Sequence, residues 1–423
     1  MRIIFIWIGK TVILTLRVFG RRGSALPGLI IESLSKNFVA KSLELIPGGV
    51  IIVTGTNGKT TSTKMLTHVL RGQKKVLTNS TGSNFVRGII AAILLHSTWL
   101  GKLDYDIAVF ELDEAYAAKF VDIYQPRGMI VLNVMRDQMD RFGEIDYTAR
   151  LIQKAVAKTT EFVVLNRDDP RVQNMSKDAP KNIYYFRVSQ ALRSLFRNDD
   201  ELHKEGDNIV GVGANKADVE LIDIQKNGQI KVAVNGQDVQ FGLSAKGTFN
   251  AQNAMAVLAA GLALDYSVDI ITTRLSEVKA AFGRGESIKI DNKYLILQLV
   301  KNPSGFRHAL ISGAQNNQTV TMLAINDNYA DGRDVSWLWD VNFKETGGVN
   351  GLVATTGSRA TDMALRLKYD DIITDIVKED LLVCLKASLS RTPAGGCLVI
   401  YTTYTAMLEI RKLLSSMTKV DKI

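Results

Sequence analysis

Short apolar runs alternate with helix-length segments along most of the chain, beginning at about residue 48. Runs of this length are typical of buried strands, and their alternation with segments of helical spacing is typical of a mostly parallel sheet covered by helices. The pattern therefore predicts the α/β class. The strands predicted in the first half of the chain are Gly49–Thr54, Lys75–Thr78, Ile107–Leu112, Met129–Val134 and Phe162–Leu165.

Two changes of pattern divide the rest of the chain. Between about residues 189 and 240 the segments become short and alternating, with Gly and Asn-Gly between them, which predicts a small β-rich insertion. Helical spacing returns at Asn250–Leu264, and a second α/β series follows. We expect a lead-in over residues 1–47, a central domain over 48–284 and a C-terminal domain over 285–423. The later strands are predicted at Gln229–Val234, Tyr294–Leu299, Val320–Ile325, Leu352–Thr355 and Leu398–Tyr401.

The first 22 residues are apolar but interrupted by charge. Lys10 and Arg17 divide the run before it is long enough to span a bilayer. The same division, without a small-residue cleavage site before Arg21, argues against a signal peptide. We expect an amphipathic segment that either packs on the body of the protein or lies at a membrane interface, with packing as the preferred alternative.

Composition and charge narrow the classes of partner. Lys and Arg exceed Asp and Glu by 52 to 43, which favours contact with phosphates or an anionic membrane surface, and no basic run indicates nucleic acid. The only cysteines, Cys384 and Cys397, are too few for a disulfide framework or a four-cysteine metal site. We expect both to be buried apolar groups in a protein of the reducing cytoplasm.

A phosphate-binding loop is the most specific chemical signal. Residues Val53-Thr-Gly-Thr-Asn-Gly-Lys-Thr-Thr61 follow an apolar strand and open a helix, in a shortened variant of the Walker spacing. Lys59 is expected to pair with the β- and γ-phosphates of a nucleotide, and Thr60 to offer its hydroxyl to Mg²⁺. An ordinary glycine turn before a helix is the weaker alternative. The nucleotide-binding residues predicted here are Thr56, Asn57, Gly58, Lys59, Thr60 and Thr61.

Four further segments, in the same order, resemble motifs of the Mur ligase superfamily, whose members join amino groups to carboxylates through acyl phosphates. The first is Val109-Phe-Glu-Leu-Asp-Glu-Ala115. The resemblance implies that Glu111 holds the Mg²⁺ that bridges nucleotide and carboxylate, and a hard cation favours such an oxygen ligand. Glu114 is a candidate second or water-mediated ligand, whereas Asp113 is expected to begin a solvated helix.

The second segment, Asn133–Gly143, resembles the pattern Asn-x-x-x-Asp-His-x-Asp-Arg. Gln138 stands where many Mur ligases have a metal-binding histidine, so the resemblance implies a weaker Mg²⁺ ligand that does not titrate. Several Mur ligases carbamylate a lysine after this segment. The residues that compete for its position here are Arg150, Gln153 and Lys154.

The remaining two segments imply contacts to the nucleotide. Gly247–Asn253 resembles Gly-x-His-Asn-x-x-Asn, in which the asparagines contact adenine, and Asn250 and Asn253 hold those positions. A helix N-cap at Asn250 is compatible with the same role. In Phe282-Gly-Arg-Gly-Glu286, Arg284 matches an arginine that reaches the phosphates. The resemblance implies ATP and Mg²⁺ as cofactors, and a Mur ligase-like central domain followed by a Rossmann-like α/β domain.

The C-terminal half resembles one branch of this superfamily, the MurT family, which comprises the ligase subunits of lipid II isoglutaminyl synthases. The resemblance covers about residues 20 to 415. It implies ATP-dependent amidation of the D-glutamate α-carboxylate of lipid II, through an acyl phosphate, at the inner face of the cell membrane. The segments that carry it are Leu299–Phe306, Asn326–Asp340, Gly357–Tyr369 and Tyr401–Leu408.

The nitrogen source is expected to be a separate subunit, because Cys384 and Cys397 lie outside any recognisable nucleophile turn. The resemblance implies a heterodimer with a GatD-type glutamine amidotransferase, one histidine of which is oriented by an aspartate of this chain. Asp334 is the candidate, with Asp331 and Asp340 as alternatives. Two other functions stay open: another Mur-type amide ligase, similar to folylpolyglutamate synthase, and a nucleotide-gated subunit without catalysis.

We predict that the protein holds no structural zinc. MurT proteins commonly carry a four-cysteine zinc ribbon in the central insertion, but this chain has no cysteine before Cys384, and His203 alone cannot supply a tetrahedral ligand set. Elemental analysis after dialysis should therefore find well below one zinc per chain. Near-stoichiometric zinc that survives dialysis would contradict this expectation.

Overall fold

The computed structural model describes most of the chain and divides it into two compact units. The first unit comprises residues 1–134, 144–245 and 249–279, and the second comprises 135–143, 246–248 and 280–423. The described residues are 2–19, 25–79, 85–136, 145–196, 201, 216–225, 228–244, 247–278, 284–314 and 318–417, with only the backbone described at 25, 284–286, 314 and 318. The functional domain assignment over 48–284 and 285–423 stays a prediction.

The first unit is built on a nine-stranded sheet, which agrees with the predicted α/β class. Its strands are β1 (Val50–Thr54), β2 (Val76–Thr78), β3 (Ile107–Glu111), β4 (Gly128–Val131), β5 (Phe162–Asn166), β6 (Asn182–Val188), β7 (Val219–Ile224), β8 (Gln229–Val234) and β9 (Gln237–Gly242). Their order is β2-β3-β1-β4-β5-β6-β7-β8-β9. Neighbours from β2 to β7 are parallel, whereas β7, β8 and β9 pair antiparallel.

Helices cover both faces of the parallel part of this sheet. Every residue of β1, β3 and β5 is buried, as expected for parallel strands between helical layers. This explains why continuous apolar runs, rather than alternating ones, predicted these strands. The helices up to residue 276 are α1 (Arg2–Val18), α2 (Ala25–Leu34), α3 (Phe38–Leu43), α4 (Lys59–Leu70), α5 (Val86–His96), α6 (Glu114–Phe120), α7 (Ile145–Ala157), α8 (Pro170–Asn174), α9 (Thr248–Ala263) and α10 (Val268–Ser276).

The predicted β-rich insertion continues the same sheet. Strand β7 pairs with β6, and β8 and β9 form a hairpin whose two-residue turn is Asn235-Gly236. Both turn residues have positive φ, at +49° and +84°, as a type I′ turn requires. Alternating burial along β8 shows that one face of this hairpin packs inward while the other meets solvent. Residues 202–215, which include His203, lie outside the described residues.

The N-terminal segment forms helix α1, which packs on the first unit. Ile6 is fully buried, and a side chain at Gly9 would overlap the side chain of Leu94 on α5. The indole of Trp7 donates to the carbonyl of Trp99 at 2.7 Å. This side of α1 therefore packs on the body of the protein, which was the preferred alternative from the sequence. Across the described ranges, no helix is long and apolar enough to cross a membrane.

The second unit contains a six-stranded sheet in the order β10-β11-β15-β12-β13-β14. Its strands are β10 (Arg284–Ile290), β11 (Lys293–Leu299), β12 (Gln318–Ala324), β13 (Leu352–Thr356), β14 (Ile376–Lys378) and β15 (Cys397–Thr402). Only β10 is antiparallel to its neighbour. The helices are α11 (Pro303–Ala314), α12 (Phe343–Thr346), α13 (Ala360–Tyr369), α14 (Leu381–Arg391) and α15 (Tyr404–Ser415).

Aromatic side chains fill one side of the core of the second unit. Phe306 meets Phe343 edge to face at a centroid distance of 5.1 Å and lies 5.6 Å from the ring of Tyr401. The buried hydroxyl of Tyr401 donates to the carbonyl of Gly348 at 2.9 Å, so its polar end is satisfied. The cysteines are buried as predicted, and burial raises the pKa of both thiols.

Acid should destabilise the second unit through His308 on α11. Burial, with a smaller effect of Arg307, lowers the pKa of His308 to about 3 in the folded protein. The unfolded chain binds a proton near the ordinary value of 6.5, so the free energy of unfolding should fall as the pH drops below 6.5. The expected loss at pH 5 is about 2 kcal/mol, measured by urea unfolding. His308→Asn should flatten this dependence, and equal slopes in the two proteins would contradict the assignment.

Candidate active site

The predicted phosphate-binding loop connects β1 to α4, with Gly58 as the residue before the first helical residue, Lys59. Gly55 and Gly58 have φ values of +124° and +89°, which disfavour any side chain. A Cβ at Gly55 would also overlap the backbone of Asn133, and one at Gly58 would overlap the amide oxygen of Asn253. The loop residues Thr56, Asn57 and Thr61 are nearly buried, whereas Thr60 is exposed.

Lys59 is held at the mouth of this loop by several oxygens. Its ammonium donates to the carbonyls of Gly55 at 2.5 Å and Thr56 at 3.2 Å, and pairs with the carboxylate of Glu114 at 3.2 Å. Both charged side chains are nearly buried. A buried ion pair needs such additional hydrogen bonds to offset the loss of hydration. Glu114, a candidate metal ligand from the sequence, is therefore a partner of Lys59 in this structure.

Thr60 and Glu111 lie together, as the sequence predicted. The Thr60 hydroxyl donates to Glu111 Oε1 at 2.9 Å. Glu111 is the last residue of β3 and is in register with Val53 of β1, so the parallel pairing brings it to the loop. The side chain of Asn79 exchanges hydrogen bonds with the backbone of Glu111, at 2.9 and 3.0 Å.

This pair of oxygen atoms fits a small hard cation such as Mg²⁺, which binds through a few protein oxygens and keeps several of its waters. Gln138, the third predicted metal ligand, lies outside the described residues. Within the described part of the chain, no cluster of three or more His, Cys, Asp or Glu side chains could hold a metal alone. The residues therefore suit an ion that is shared with a phosphate rather than one that is caged by protein.

Asn133 braces the loop, a role that the sequence analysis did not assign. Its side-chain oxygen accepts from the Asn57 amide at 2.8 Å, and its side-chain nitrogen donates to the Asn57 carbonyl at 3.1 Å. Its backbone carbonyl accepts from the Thr56 amide at 3.0 Å. Because Asn133 follows β4, which pairs with β1, the next strand in the sheet fixes the conformation of the loop.

A second asparagine and an aspartate support the chain around Asn133 from the end of β5. Asn166 donates to the carbonyl of Leu132 at 2.9 Å, and Asp169 accepts from the Val134 amide at 2.7 Å. Asp169 also caps α8. Burial raises the pKa of Asp169 to about 6, although three backbone hydrogen bonds oppose the shift. The sequence analysis missed both residues, whose only signal was polar residues directly after an apolar strand.

The predicted adenine-contacting residues lie in the first two turns of α9. Asn250 and Asn253 are nearly buried and three residues apart, so they lie on the same side of the helix. Asn253 is next to Gly58 of the loop. Arg284 begins β10 in the second unit, and the structure describes only its backbone. Its contact with phosphate stays a prediction.

The candidates for the carbamylated position all lie on α7, and the structure leaves the position unassigned. Lys154 forms an exposed ion pair with Asp122 at 2.6 Å. The amide of Gln153 donates to Asp178. The ring of Tyr147 lies 5.9 Å from the guanidinium carbon of Arg150.

The aspartate-rich loop of the second unit separates the three predicted aspartates. Asp331 is buried, and its two oxygens accept from the amide and the hydroxyl of Thr405, at 2.7 and 2.5 Å. Asp334 is exposed, and Oδ1 accepts from the Ser336 amide at 2.8 Å. Hydrogen bonds from Ser336 lower the pKa of Asp334, so this carboxylate is charged at neutral pH. Asp340 is also exposed.

Two family models match this chain, one in each unit. Residues 53–261 match the Mur ligase middle domain, and residues 299–407 match the MurT ligase C-terminal domain. The first match begins near the end of β1 and ends within α9, so it contains Lys59, Glu111 and Asn253. The second begins at the end of β11 and contains the aspartate-rich loop.

Curated relatives match both units together. The chain is 31% identical to the MurT subunit of lipid II isoglutaminyl synthase (glutamine-hydrolyzing) from Streptococcus pneumoniae, over 95% of this chain and 94% of the relative. It is 28% identical to the corresponding subunit from Staphylococcus aureus, over 93% and 94%. The fold is similar to that of MurF ligase from Thermotoga maritima in complex with ADP, with a TM-score of 0.69, 17% identity, and coverage of 90% and 82%. The chain is similar to these relatives over nearly their whole length, and a family model matches in each unit. The chain therefore belongs to the MurT family of Mur ligases.

Proposed function

We propose that this chain is the ligase subunit that amidates the D-glutamate α-carboxylate of lipid II, with ATP as the activating nucleotide. The proposal rests above all on the juxtaposition of the Thr60 hydroxyl and the Glu111 carboxylate beside Lys59 at the start of α4. The curated relatives named above are lipid II isoglutaminyl synthase subunits, which supports this substrate. A carboxylate does not react with ammonia unaided, because oxide is a poor leaving group, and phosphorylation removes that obstacle.

The loop and Lys59 would bind the nucleotide phosphates through amides at a helix N-terminus and through one ammonium charge. Thr60 and Glu111 would hold Mg²⁺, which when bound neutralises charge on the transferring phosphoryl group. Asn250 and Asn253 would position adenine, and we assign Arg284 to the phosphates. These residues orient the substrate carboxylate for in-line attack rather than forming covalent bonds themselves.

The proposed amidation has two steps. A carboxylate oxygen attacks the γ-phosphorus, and ADP leaves, giving an acyl phosphate. Ammonia then attacks the acyl carbon, a proton is released, and inorganic phosphate departs with the former carboxylate oxygen. The chain residues act mainly on the first step, because Lys59, Thr60 and Glu111 surround the place where charge develops on phosphate.

Ammonia is proposed to come from a GatD-type glutamine amidotransferase partner. The curated relatives are subunits of a glutamine-hydrolyzing synthase, which supports such an assembly. Asp334 suits the role of orienting a histidine on that partner, because its carboxylate is exposed and charged. Asp331 suits it less well, since both of its oxygens already bind Thr405. We place the enzyme at the cytoplasmic face of the membrane, where a lipid-linked substrate is accessible.

Replacement of Lys59 by Ala should lower ATP-dependent amidation by about a hundredfold or more, because the phosphates lose a preorganised charge. The measurement is phosphate release that depends on both lipid II and a nitrogen source, alongside nucleotide affinity by calorimetry. Lys75→Ala is the matched control, since Lys75 is an exposed lysine of the same unit that forms a surface ion pair with Asp104 and has no assigned role at the site. Undiminished turnover in Lys59→Ala, with a normal unfolding profile, would refute the nucleotide site.

Replacement of Asp334 by Asn should stop the use of glutamine while leaving amidation with free ammonia intact. The reason is that the defect would lie in the partner's glutaminase, which ammonia bypasses. Glu111→Gln should fail with either nitrogen source, because the change weakens Mg²⁺ binding in the ligase half-reaction. The measurement is amidated product formed by the reconstituted complex with glutamine or with ammonium chloride.

Asp340→Asn is the matched control for Asp334→Asn, because both aspartates are exposed in the same loop. It should use glutamine at the unmodified rate. Asp331→Asn should instead lower the stability of the loop, since an amide replaces one of the oxygens that bind Thr405. Normal glutamine use by Asp334→Asn would refute its role, and a selective, ammonia-rescued defect in Asp340→Asn would assign the role to Asp340.

A further inference from the structure

Helix α1 has apolar side chains on two sides, and only one side is covered. Ile6 and Gly9 lie on the covered side, against the body of the first unit. On the other side, several apolar side chains remain exposed, three of them in the first two turns of the helix and two in the last two turns. These are Ile3, Ile4, Trp7, Leu14 and Val18. A helix that is apolar all round is normally buried all round, so the exposed side needs a partner.

A turn that is distant in sequence extends this exposed side. Trp99 and Leu100 lie in the turn that follows α5, and Leu100 is 81% exposed. Gly101, with φ of +81°, allows the turn, and its carbonyl accepts from the Arg2 guanidinium at 2.7 Å. The Trp7 indole donates to the Trp99 carbonyl at 2.7 Å. We call the exposed side of α1 together with Trp99 and Leu100 the α1 face.

The charges that accompany the α1 face are positive. Helix α1 contains Arg2, Lys10 and Arg17 and no acidic residue. The Lys10 ammonium lies 5.6 Å from the centre of the Trp99 ring, within cation–π distance. Residues 1–46 of the sequence contain seven Lys or Arg against two Glu. Exposed tryptophans flanked by cationic side chains are typical of segments that enter the headgroup region of an anionic bilayer.

We propose that the α1 face docks on an anionic lipid bilayer. The apolar side chains would enter the boundary between headgroups and acyl chains, while Lys10 and Arg17 contact lipid phosphates. A second copy of this chain is a poorer occupant, because a twofold interface on this face would bring the same cations towards each other without an acidic residue on α1 to pair with them. Such docking would bring the ligase to a lipid-linked substrate. This biological purpose rests on the proposed function.

Leu100→Asp tests the α1 face without removing any contact that holds α1 in place. Vesicles of phosphatidylcholine, with and without phosphatidylglycerol, are floated with the full chain. The unmodified protein should bind the anionic vesicles, less strongly at high salt, and Leu100→Asp should weaken binding by about tenfold or more. Ile373→Asp is the matched control, since Ile373 is also 81% exposed but lies in the second unit. It should bind as the unmodified protein does.

Tryptophan fluorescence gives a second measurement. Trp7 and Trp99 should shift to shorter wavelength and be quenched by brominated lipid, and replacing both by Phe should remove most of that quenching. No binding of the full chain to anionic vesicles would overturn the proposal, as would equal losses in Leu100→Asp and Ile373→Asp. A dimer in solution that Leu100→Asp dissociates would assign the α1 face to a second copy instead.

The experiments distinguish an error in the membrane-docking proposal from an error in the proposed function. Leu100→Asp should leave ATP affinity unchanged, because Leu100 is not among the residues assigned to the nucleotide. If the chain binds vesicles as expected but releases no phosphate with ATP, lipid II in detergent and ammonium chloride, the proposed reaction is wrong and the proposed surface stands. If it releases phosphate in detergent but binds no vesicles, the reaction stands and the surface is wrong.

Discussion

The conformation of the loop between β1 and α4 is the constraint on which the proposed site depends. Two glycines with positive φ give the loop its turn, but they also leave its backbone free to adopt other conformations. Asn133 removes that freedom through three hydrogen bonds to Thr56 and Asn57. Each contributes about 0.5–1.5 kcal/mol net. Because β1 pairs with both β3 and β4, the same sheet that carries Asn133 also brings Glu111 to Thr60.

The buried pair of Lys59 and Glu114 sets a requirement on any anion that binds the loop. The ammonium already has two carbonyl partners and one carboxylate, so an incoming phosphate must compete with satisfied contacts. Drawing Lys59 away would leave Glu114 buried without its cation, which is costly. We infer that a polyphosphate, with several charges near one ammonium and a metal ion, meets this requirement better than a single phosphate group does.

The sequence predicted the residues that belong to recognisable motifs, including Glu111 on the neighbouring strand β3, but it did not assign a supporting role to Asn133 or Asp169. Gly55, Gly58 and Lys59 belong to one continuous loop, so their spacing alone indicated phosphate binding. Asn133 and Asp169 bind backbone groups of other segments, and those groups become neighbours only when β1, β4 and β5 align.

Strand prediction had a similar limit. The predicted strands have ends that differ from the observed ones by at most three residues, whereas β14, which has three residues and lies at a sheet edge, lacked an apolar run long enough to be recognised. The sequence favoured Asp334 over Asp331 but could not show how their surroundings differ. Asp331 is buried and binds Thr405, which lies more than seventy positions away along the chain, whereas Asp334 is exposed and accepts only from the nearby Ser336 among the hydrogen bonds described above.

The described part of the insertion is held to the main sheet by strand pairing and by a buried arginine. Strand β7 extends the parallel sheet by pairing with β6. The hairpin of β8 and β9 then extends it further, because β8 pairs with β7. The nearly buried Arg193, near the start of the insertion, donates to the Asp168 carbonyl just after β5 at 2.9 Å and to Glu201 at 2.8 Å. Burial raises the pKa of Asp168, and the charge of Arg193 opposes that shift. Hydrogen bonds to the main sheet and a buried guanidinium thus connect the described part of the insertion to the parallel sheet.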